Sequence, residues 1–392
     1  MGGPDADPGR ACRGIGRIRT KRGRPVKGGA CTGAVAMQIR AAFVSCSGWQ
    51  WGGCGGWMRM KRAEGQEIMG ETAGDGFFKP VSGFDLPRFA GIPTFMRLPH
   101  VGFDHPRFAE VQIGLIGAPW DGGTTNRPGP RHGPRQLRDL STMIRAQNGA
   151  TWVAPFELAR CADLGDVAPN PGDLMDSLAR MEAFYTRVRA AGILPLTGGG
   201  DHLCTLPILR ALGKGRPLGM IQFDSHTDLN DIYFGTSRYN HGTPFRRAVE
   251  EGLLDPKRYV IIGIRGTAYG REDWDFAASV GIRIIPIAEF HARGAEDVMV
   301  EAREIVGQGE TYVTYDIDFV DPTFAPGTGT PEVGGPNSWQ ALQVARGLRG
   351  LNVVGADLVE VSPPFDASGG TAWLGVSLMF EMLCVMAERV AG

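Results

Sequence analysis

The sequence of 392 residues has no cysteine framework. Its seven cysteines are an odd number, none of them forms a C-x-x-C pair, and none has the spacing of a metal site. This count and spacing argue against a disulfide framework and a cysteine-based metal site, and they favour a reducing compartment. An excess of either charge is also missing, since 41 Lys and Arg face 42 Asp and Glu. A net charge of -1 argues against nucleic acid as a partner.

Long apolar runs are absent as well. A run such as 35–44 is short and is interrupted by Arg40, whereas a spanning helix needs about 18 consecutive apolar residues. We therefore expect no membrane as a partner. The composition, 43% hydrophobic and 21% charged, is that of an ordinary globular chain, long enough for one large domain or two medium ones.

Residues 1–68 differ from the rest of the chain. They hold 12 Lys and Arg but only 4 Asp and Glu, whereas the remaining residues hold 29 and 38. The segment has no sustained strand or helix period, so we predict that it is not a domain. Three explanations stay open: a translation start at Met60 or Met69, an organellar transit peptide, or a basic arm that binds nucleic acid. We predict a cytoplasmic location, and a mitochondrial one only if this segment is a transit peptide.

Residues 69–392 are predicted to form a single domain of the α/β class. From Phe77 onward short β-rich runs alternate with helical stretches, which is typical of a parallel sheet covered by helices. The predicted strands are 111–117, 192–196, 217–223, 258–264, 282–287, 311–315 and 353–357. The predicted helices are 172–191, 203–213, 243–252, 271–280, 295–307, 338–349 and 371–389. Ligands of such sheets bind at the carboxyl ends of the strands.

Three of the predicted strands run directly into polar clusters. These clusters combine carboxylates with imidazoles: Asp201 and His202 after the first strand, Asp224, His226 and Asp228 after the second, and Asp316, Asp318 and Asp321 after the third. Taken singly, an Asp at a strand end is usually a turn former or a helix cap. Taken together, carboxylates at neighbouring strand ends would repel one another, so something cationic must hold them.

A pair of divalent metal ions satisfies this demand. Two carboxylates can bridge two ions while other carboxylates and one imidazole per ion complete each site. Mixed carboxylate and imidazole ligation suits Mn²⁺, with zinc, nickel and iron disfavoured rather than excluded. Such a centre activates water for attack on an electrophilic carbon. The ligands alone leave amides, phosphoesters and guanidinium groups open as substrates.

Five motifs resemble those of the ureohydrolase family, the relatives of arginase and agmatinase. They are GGGDH (198–202), FDSHTDLND (223–231), HGTPFRRA (241–248), YDIDFVDPTFAPGTGTPEVGG (315–335) and DLVEVSPPFD (357–366). The resemblance extends from about residue 87 to the C-terminus, with the motifs in the family's order and spacing. It implies a three-layer α/β/α arginase-like fold around a parallel sheet, and a homo-oligomer, either a trimer or a hexamer.

The resemblance also implies which residues bind the two Mn²⁺ ions. The first ion would be bound by His202, Asp224, Asp228 and Asp316, and the second by Asp224, His226, Asp316 and Asp318. Asp224 and Asp316 would therefore bridge the ions.

Two further residues receive catalytic roles from the resemblance. His241 would act as a proton shuttle, for which an imidazole is suited because it titrates near neutral pH. Glu360 would receive the guanidinium group, a pairing favoured by planar bidentate hydrogen bonding. Leu203 and Asn240 stand where many relatives have Ser, which puts fine substrate positioning in doubt but not the metal site.

The predicted function is hydrolysis of a linear guanidino compound to urea and a primary amine. The segments PRFAGIPTFMRLP (87–99) and VEVSPPFDASGGTA (359–372) resemble the guanidinobutyrase and guanidinopropionase branch. We therefore expect 4-guanidinobutyrate as the first choice, with agmatine, which yields putrescine, as the alternative. Arginine should be a poor substrate, because no identifiable residue is dedicated to its α-amino group. Distant alternatives are a deacetylase and a catalytically silent relative that serves as an interaction protein.

Overall fold

The structure is a computed structural model that describes residues 76–392. The predictions for residues 1–68 lie outside the described residues. Within them the chain forms an eight-stranded, all-parallel sheet with the strand order β2-β1-β3-β8-β7-β4-β5-β6. The strands are β1 (Ile113–Gly117), β2 (Cys161–Asp166), β3 (Leu194–Gly198), β4 (Leu218–Phe223), β5 (Leu254–Ile264), β6 (Arg283–Pro286), β7 (Thr311–Asp316) and β8 (Val353–Val359).

Helices cover both faces of this sheet. They are α1 (Gly133–Ser141), α2 (Pro155–Leu158), α3 (Leu174–Ala190), α4 (Thr205–Gly213), α5 (Pro244–Glu250), α6 (Glu272–Val280), α7 (Ile287–Arg293), α8 (Ala295–Val306), α9 (Ser338–Arg346) and α10 (Gly370–Ala391). The apolar side chains of α1, α2 and α7 to α10 join one hydrophobic core, and those of α3 to α6 join the other. The predicted three-layer α/β/α fold is confirmed.

The strands divide their side chains between the two cores. In β4, Ile221 and Phe223 enter one core while Leu218 and Met220 enter the other, as expected for successive side chains that point to opposite faces. All six residues of β4 are buried. A strand buried on both faces reads as a continuous apolar run, which is why the sequence predicts the central strands well.

One strand and three helices are not predicted from the sequence. β2 lies at the edge of the sheet, pairs only with β1 among the described strands, and carries two carboxylates in six residues. α2 has only four residues, and α1 begins with Gly-Pro, which is typical of a turn. α7 directly follows β6, so that its first residue, Ile287, falls inside the predicted strand 282–287. α10, in contrast, is long and apolar enough to cross a membrane by length and composition. However, 83% of its most apolar stretch of 18 residues is buried within the fold, as in a core helix.

Candidate metal centre and active site

The predicted site residues meet at the carboxyl edge of the four central strands. β3, β8, β7 and β4 are consecutive neighbours in the sheet, although they come from distant parts of the chain. His202 follows β3, Glu360 follows β8, Asp316 ends β7 and Asp224 follows β4. Since the strands are parallel, all of these side chains emerge at the same edge.

The glycines before His202 fit closely against neighbouring backbone. A Cβ on Gly200 would lie 1.7 Å from the Trp120 carbonyl oxygen, so a larger residue cannot occupy this position without displacing the backbone. The Glu360 amide donates to the Gly200 carbonyl over 2.8 Å, and the His202 amide donates to Glu360 Oε1 over 3.0 Å. The glycine run therefore joins the ends of β3 and β8 and brings Glu360 beside His202.

The first group of candidate ligands surrounds the imidazole of His202. Its Nδ1 atom lies 3.1 Å from Asp224 Oδ2, 2.9 Å from Asp228 Oδ2 and 3.3 Å from Asp316 Oδ2. His202 is fully buried, and Nδ1 has no hydrogen-bond partner among the described residues. Four ligand atoms thus converge on a small volume around an unpartnered nitrogen.

The second group shares Asp224 with the first. His226 Nδ1 lies 3.0 Å from Asp318 Oδ2 and 3.7 Å from Asp224 Oδ1. The other oxygen of Asp318 accepts hydrogen bonds from the Ser225 hydroxyl and amide, at 2.7 and 3.1 Å, which leaves Oδ2 directed at His226. All six predicted ligands are thus brought together, with Asp224 common to both groups.

The electrostatics of the cluster call for cations. Burial and the carboxylates of Asp228 and Asp318 raise the pKa of Asp224 to about 7. Burial likewise raises the pKa of Asp316 well above its ordinary value, and Asp318 and Asp224 add to this rise. Divalent ions would relieve this repulsion, and carboxylate oxygens with imidazole nitrogens are a donor set suited to Mn²⁺. The residues present therefore fit a pair of such ions.

Two site residues have unusual backbone angles. Asp228 has φ 53° and Glu360 has φ 62°, a left-handed region that costs a residue with a Cβ about 1–3 kcal/mol. At Asp228 this bend directs the carboxylate back towards His202, and at Glu360 it accompanies the hydrogen bond to Gly200. The surrounding hydrogen bonds hold both residues in conformations that an isolated chain would rarely adopt.

His241 connects the metal-ligand groups to the wall of the cavity. Its Nδ1 lies 3.0 Å from Glu360 Oε1, and its Nε2 lies 2.8 Å from Thr125 Oγ1 and accepts from the Thr125 amide over 3.2 Å. An amide can only donate, so in the neutral ring Nε2 accepts from Thr125 and Nδ1 donates to Glu360, whereas the protonated ring carries a proton on both nitrogens. Although burial lowers it, the Glu360 carboxylate raises the pKa of His241 to about 9.

Thr125 is a site residue that the sequence analysis does not identify. It lies in the loop 118–132 after β1, where no motif drew attention to it. Two buried carboxylates hold this loop: Asp201 accepts from the Gly123 amide over 2.6 Å, and Asp121 accepts from the Gly129 amide over 2.8 Å. Asp201 also caps the turn at His202, as a strand-end Asp usually does. The loop directly follows β1, which neighbours β3, and this position was the signal by which Thr125 could have been found.

A cavity of about 780 Å³ opens above the metal-ligand groups. The residues that line it include His226, Asp228, Asp316, Glu360 and Arg127. Glu360 is 1% exposed, and its Oε2 atom has no hydrogen-bond partner among the described residues. A planar cationic group that entered the cavity would find this oxygen free to accept from it.

Comparisons with known proteins agree with this geometry. The model of the Arginase family matches residues 111–384, a range that includes all eight predicted site residues. The chain is 60% identical over 313 residues to the guanidinopropionase of Pseudomonas aeruginosa, covering 80% of this chain and 97% of that protein. It is 48% identical over 309 residues to the guanidinobutyrase of the same organism, covering 79% and 96%. The solved proclavaminate amidino hydrolase of Streptomyces clavuligerus superposes with a TM-score of 0.73 and 40% identity, covering 77% of this chain and 99% of that one.

Proposed function

Because the chain belongs to the arginase family and is a hydrolase that acts on guanidino compounds, we propose that it cleaves short ω-guanidino acids to urea and an ω-amino acid. The two relatives named above act, by name, on 3-guanidinopropionate and 4-guanidinobutyrate. The higher identity to the guanidinopropionase favours the shorter acid. We therefore propose 3-guanidinopropionate as the preferred substrate, followed by 4-guanidinobutyrate, and agmatine as the alternative. This order differs from the expectation from the sequence alone, which puts 4-guanidinobutyrate first.

The observation that carries this proposal is the unpartnered oxygen of Glu360. Oε1 is occupied by the His202 amide and by His241, while Oε2 is buried beside the cavity without a hydrogen-bond partner among the described residues. A buried carboxylate oxygen without a donor is costly, and a guanidinium group supplies donors in a rigid planar array. Glu360 would therefore hold the guanidinium carbon over the metal ligands.

Two Mn²⁺ ions would be held by His202, Asp224, His226, Asp228, Asp316 and Asp318. When bound, such a pair lowers the pKa of water so that a nucleophile is available near neutral pH. The bridging role of Asp224 is supported by its place in both ligand groups. For Asp316 it rests on the resemblance, since Asp316 lies with His202 and Asp224 in the first ligand group, and its Oδ1 accepts from the Asp318 amide over 2.8 Å.

His241 would deliver a proton to the departing amine. Thr125 and Glu360 hold the ring at its two nitrogens. The raised pKa of about 9 favours the doubly protonated ring near neutral pH, and this ring becomes a neutral imidazole when it gives up one proton. Because Glu360 would also receive the substrate, the proton donor would lie beside the departing nitrogen. Cleavage then needs only a short transfer from an imidazole that is already oriented.

Arg127 would bind the carboxylate end of the substrate. Its guanidinium carbon lies 3.8 Å from the centroid of the Phe365 ring, and among residues 76–392 no ion pair to Arg127 is found. The other arginine of the cavity, Arg265, donates to the carbonyls of Asp318 and Glu332 over 2.7 and 2.8 Å. Arg127 is therefore the arginine of the cavity wall that is available to a carboxylate.

The proposal is tested by the release of urea. Purified protein loaded with Mn²⁺ is assayed with 3-guanidinopropionate, 4-guanidinobutyrate, agmatine and arginine, and kcat/KM is compared. We expect the two acids to exceed agmatine and arginine to be poor. A tenfold or greater preference for agmatine would overturn the proposed substrate class. A trimer or hexamer stays a prediction, which light scattering of the purified protein would test.

A further inference from the structure

We propose that Asp357 is a positioning residue for the metal centre, acting through Thr314 to hold the imidazole of His202 in the tautomer whose Nδ1 is free to bind an ion. Asp357 is not itself a predicted ligand, it does not line the cavity, and no step of the proposed reaction uses it. The inference rests on the proposed binding of two Mn²⁺ ions.

Asp357 is a fully buried carboxylate in the middle of the sheet. It lies in β8, with Thr197 of β3 and Thr314 of β7 as its register partners on either side. Among residues 76–392 no Lys or Arg forms an ion pair with it. A buried carboxylate without a cation is destabilising unless hydrogen bonds compensate, so the donors around Asp357 must be accounted for.

Three hydroxyl groups surround Asp357. Its Oδ2 accepts from the Thr205 and Tyr312 hydroxyls, both at 2.7 Å, and its Oδ1 accepts from the Thr314 hydroxyl at 2.6 Å. The Thr205 and Tyr312 hydroxyls donate to the carboxylate and do not extend the network. Thr314 continues the network, because its Oγ1 also lies 2.7 Å from His202 Nε2.

The hydrogen bonds that link Asp357, Thr314 and His202 determine that Nε2 of His202 carries a proton. A hydroxyl carries one proton, and a carboxylate can only accept, so the Thr314 proton is donated to Asp357. The Thr314 oxygen must then accept from His202, which requires a proton on Nε2. In the neutral imidazole this leaves the lone pair on Nδ1, the atom that faces Asp224, Asp228 and Asp316.

The same hydrogen-bond directions explain why Nδ1 of His202 has no hydrogen-bond partner among the described residues. A bare Nδ1 cannot donate to the three carboxylates around it, and it has no hydrogen-bond partner among the described residues. A cation between the nitrogen and these oxygens would satisfy all four atoms. Partners of this kind behind a metal-binding imidazole typically change metal affinity by 10–100-fold.

The test uses variants that remove one link at a time. Thr314→Val keeps the shape of the side chain but removes the hydroxyl, Thr314→Ser restores the hydroxyl, and Asp357→Asn removes the acceptor charge. Thr197→Val is the matched control, because Thr197 is equally buried, lies on the other side of Asp357 and bonds to the Tyr185 hydroxyl instead. Each protein is stripped of metal with a chelator, checked for folding by circular dichroism, and titrated with Mn²⁺ by calorimetry.

We expect Thr314→Val and Asp357→Asn to bind one of the two Mn²⁺ ions about 10–100-fold more weakly. Thr314→Ser and Thr197→Val should bind both ions within about threefold of the unmodified chain. The inference is overturned if folded Thr314→Val binds both ions with unchanged affinity, or if Thr197→Val loses as much affinity. Should Asp357→Asn not fold, the valine and serine variants decide the question alone.

The outcome also separates this inference from the proposed function. If the unmodified chain binds two Mn²⁺ ions and the variants behave as expected, but no guanidino acid is cleaved, only the proposed substrate is wrong. If guanidino acids are cleaved and Thr314→Val binds metal normally, only the positioning role is wrong. A chain that binds no divalent ion would contradict both.

Discussion

The metal-ligand cluster, which consists of the six predicted ligands, is built differently from the cavity mouth, which we define as Arg127, Tyr269, Trp274 and Glu332. Five of the six ligands are at most 7% exposed, and they stand at the ends of paired strands. In the cavity mouth, Tyr269 is 93% exposed, and three of the four residues lie in loops. Buried residues next to paired strands have few alternative positions, whereas exposed loop residues have many. The cluster should therefore decide the reaction, and the mouth the guanidino compound.

We expect the cluster to tolerate less change than the mouth. Asp228 and Glu360 hold left-handed backbone angles, and Gly200 has no room for a Cβ. Arg127 at the mouth, by contrast, rests on the Phe365 ring without an ion pair among residues 76–392. Four changes, ordered from the largest expected effect to the smallest, test this difference.

The largest effect is expected from Asp224→Asn or Asp316→Asn. An amide has no charge to offset two cations, so metal and activity should be lost together, the latter by on the order of 10³-fold or more. Elemental analysis of the purified variant, alongside urea release, measures both. Asp321→Asn is the matched control, because Asp321 accepts backbone amides of Thr323, Gly334 and Gly335 instead of facing the cluster. Two full equivalents of metal in either cluster variant would contradict the bridging assignment.

The next effect concerns His241→Ala, at the border between the cluster and the mouth. The variant should keep its metal and substrate affinity but lose about 10²–10⁴-fold in kcat, because general acid–base assistance is of that size. His291→Ala serves as the control, since His291 is exposed and contacts the Gly334 carbonyl. An unchanged kcat at neutral pH would remove the shuttle role.

Arg127→Met should change selectivity rather than the reaction. Hydrogen bonds to a charged group contribute about 1.5–3 kcal/mol, so kcat/KM for the guanidino acids should fall by roughly 10–100-fold, mainly through KM. Agmatine has no carboxylate and should be affected much less. Arg246→Met is the control, because Arg246 also stacks on an aromatic ring, at 3.7 Å from Phe276, but does not line the cavity. Equal losses for agmatine and the acids would show that Arg127 is structural.

The smallest effect is expected from removal of residues 1–68. All eight predicted site residues lie beyond this segment, and its sequence has no apolar period with which to dock. A chain that starts at Met69 should remain folded and retain its kcat, as measured by circular dichroism and urea release. Loss of either property would show that the segment has a structural role.

Much of the site is predictable from the sequence because its signals are local. Buried strands read as apolar runs, and the polar residues that follow them mark the carboxyl edge, which is how His202 and Asp224 are found. Thr125 and Asp357 are not singled out by the same reasoning. A threonine in a loop and an aspartate at the end of an apolar strand are ordinary in sequence, and their roles appear only when His241 and His202 lie within hydrogen-bond distance of their networks.

The sequence by itself determined the α/β class, seven of the eight strands, and the set of carboxylates and imidazoles that can hold two ions. The tertiary structure alone decided that β3, β8, β7 and β4 are neighbours, which places Glu360 against His202 and Asp357 behind it. The periodic spacing of apolar residues that marks a strand or a helix lies within about a dozen residues, so it can be recognised directly in the sequence. The order of strands in a parallel sheet depends instead on how helices and crossover connections pack over both faces, and no local pattern records that outcome.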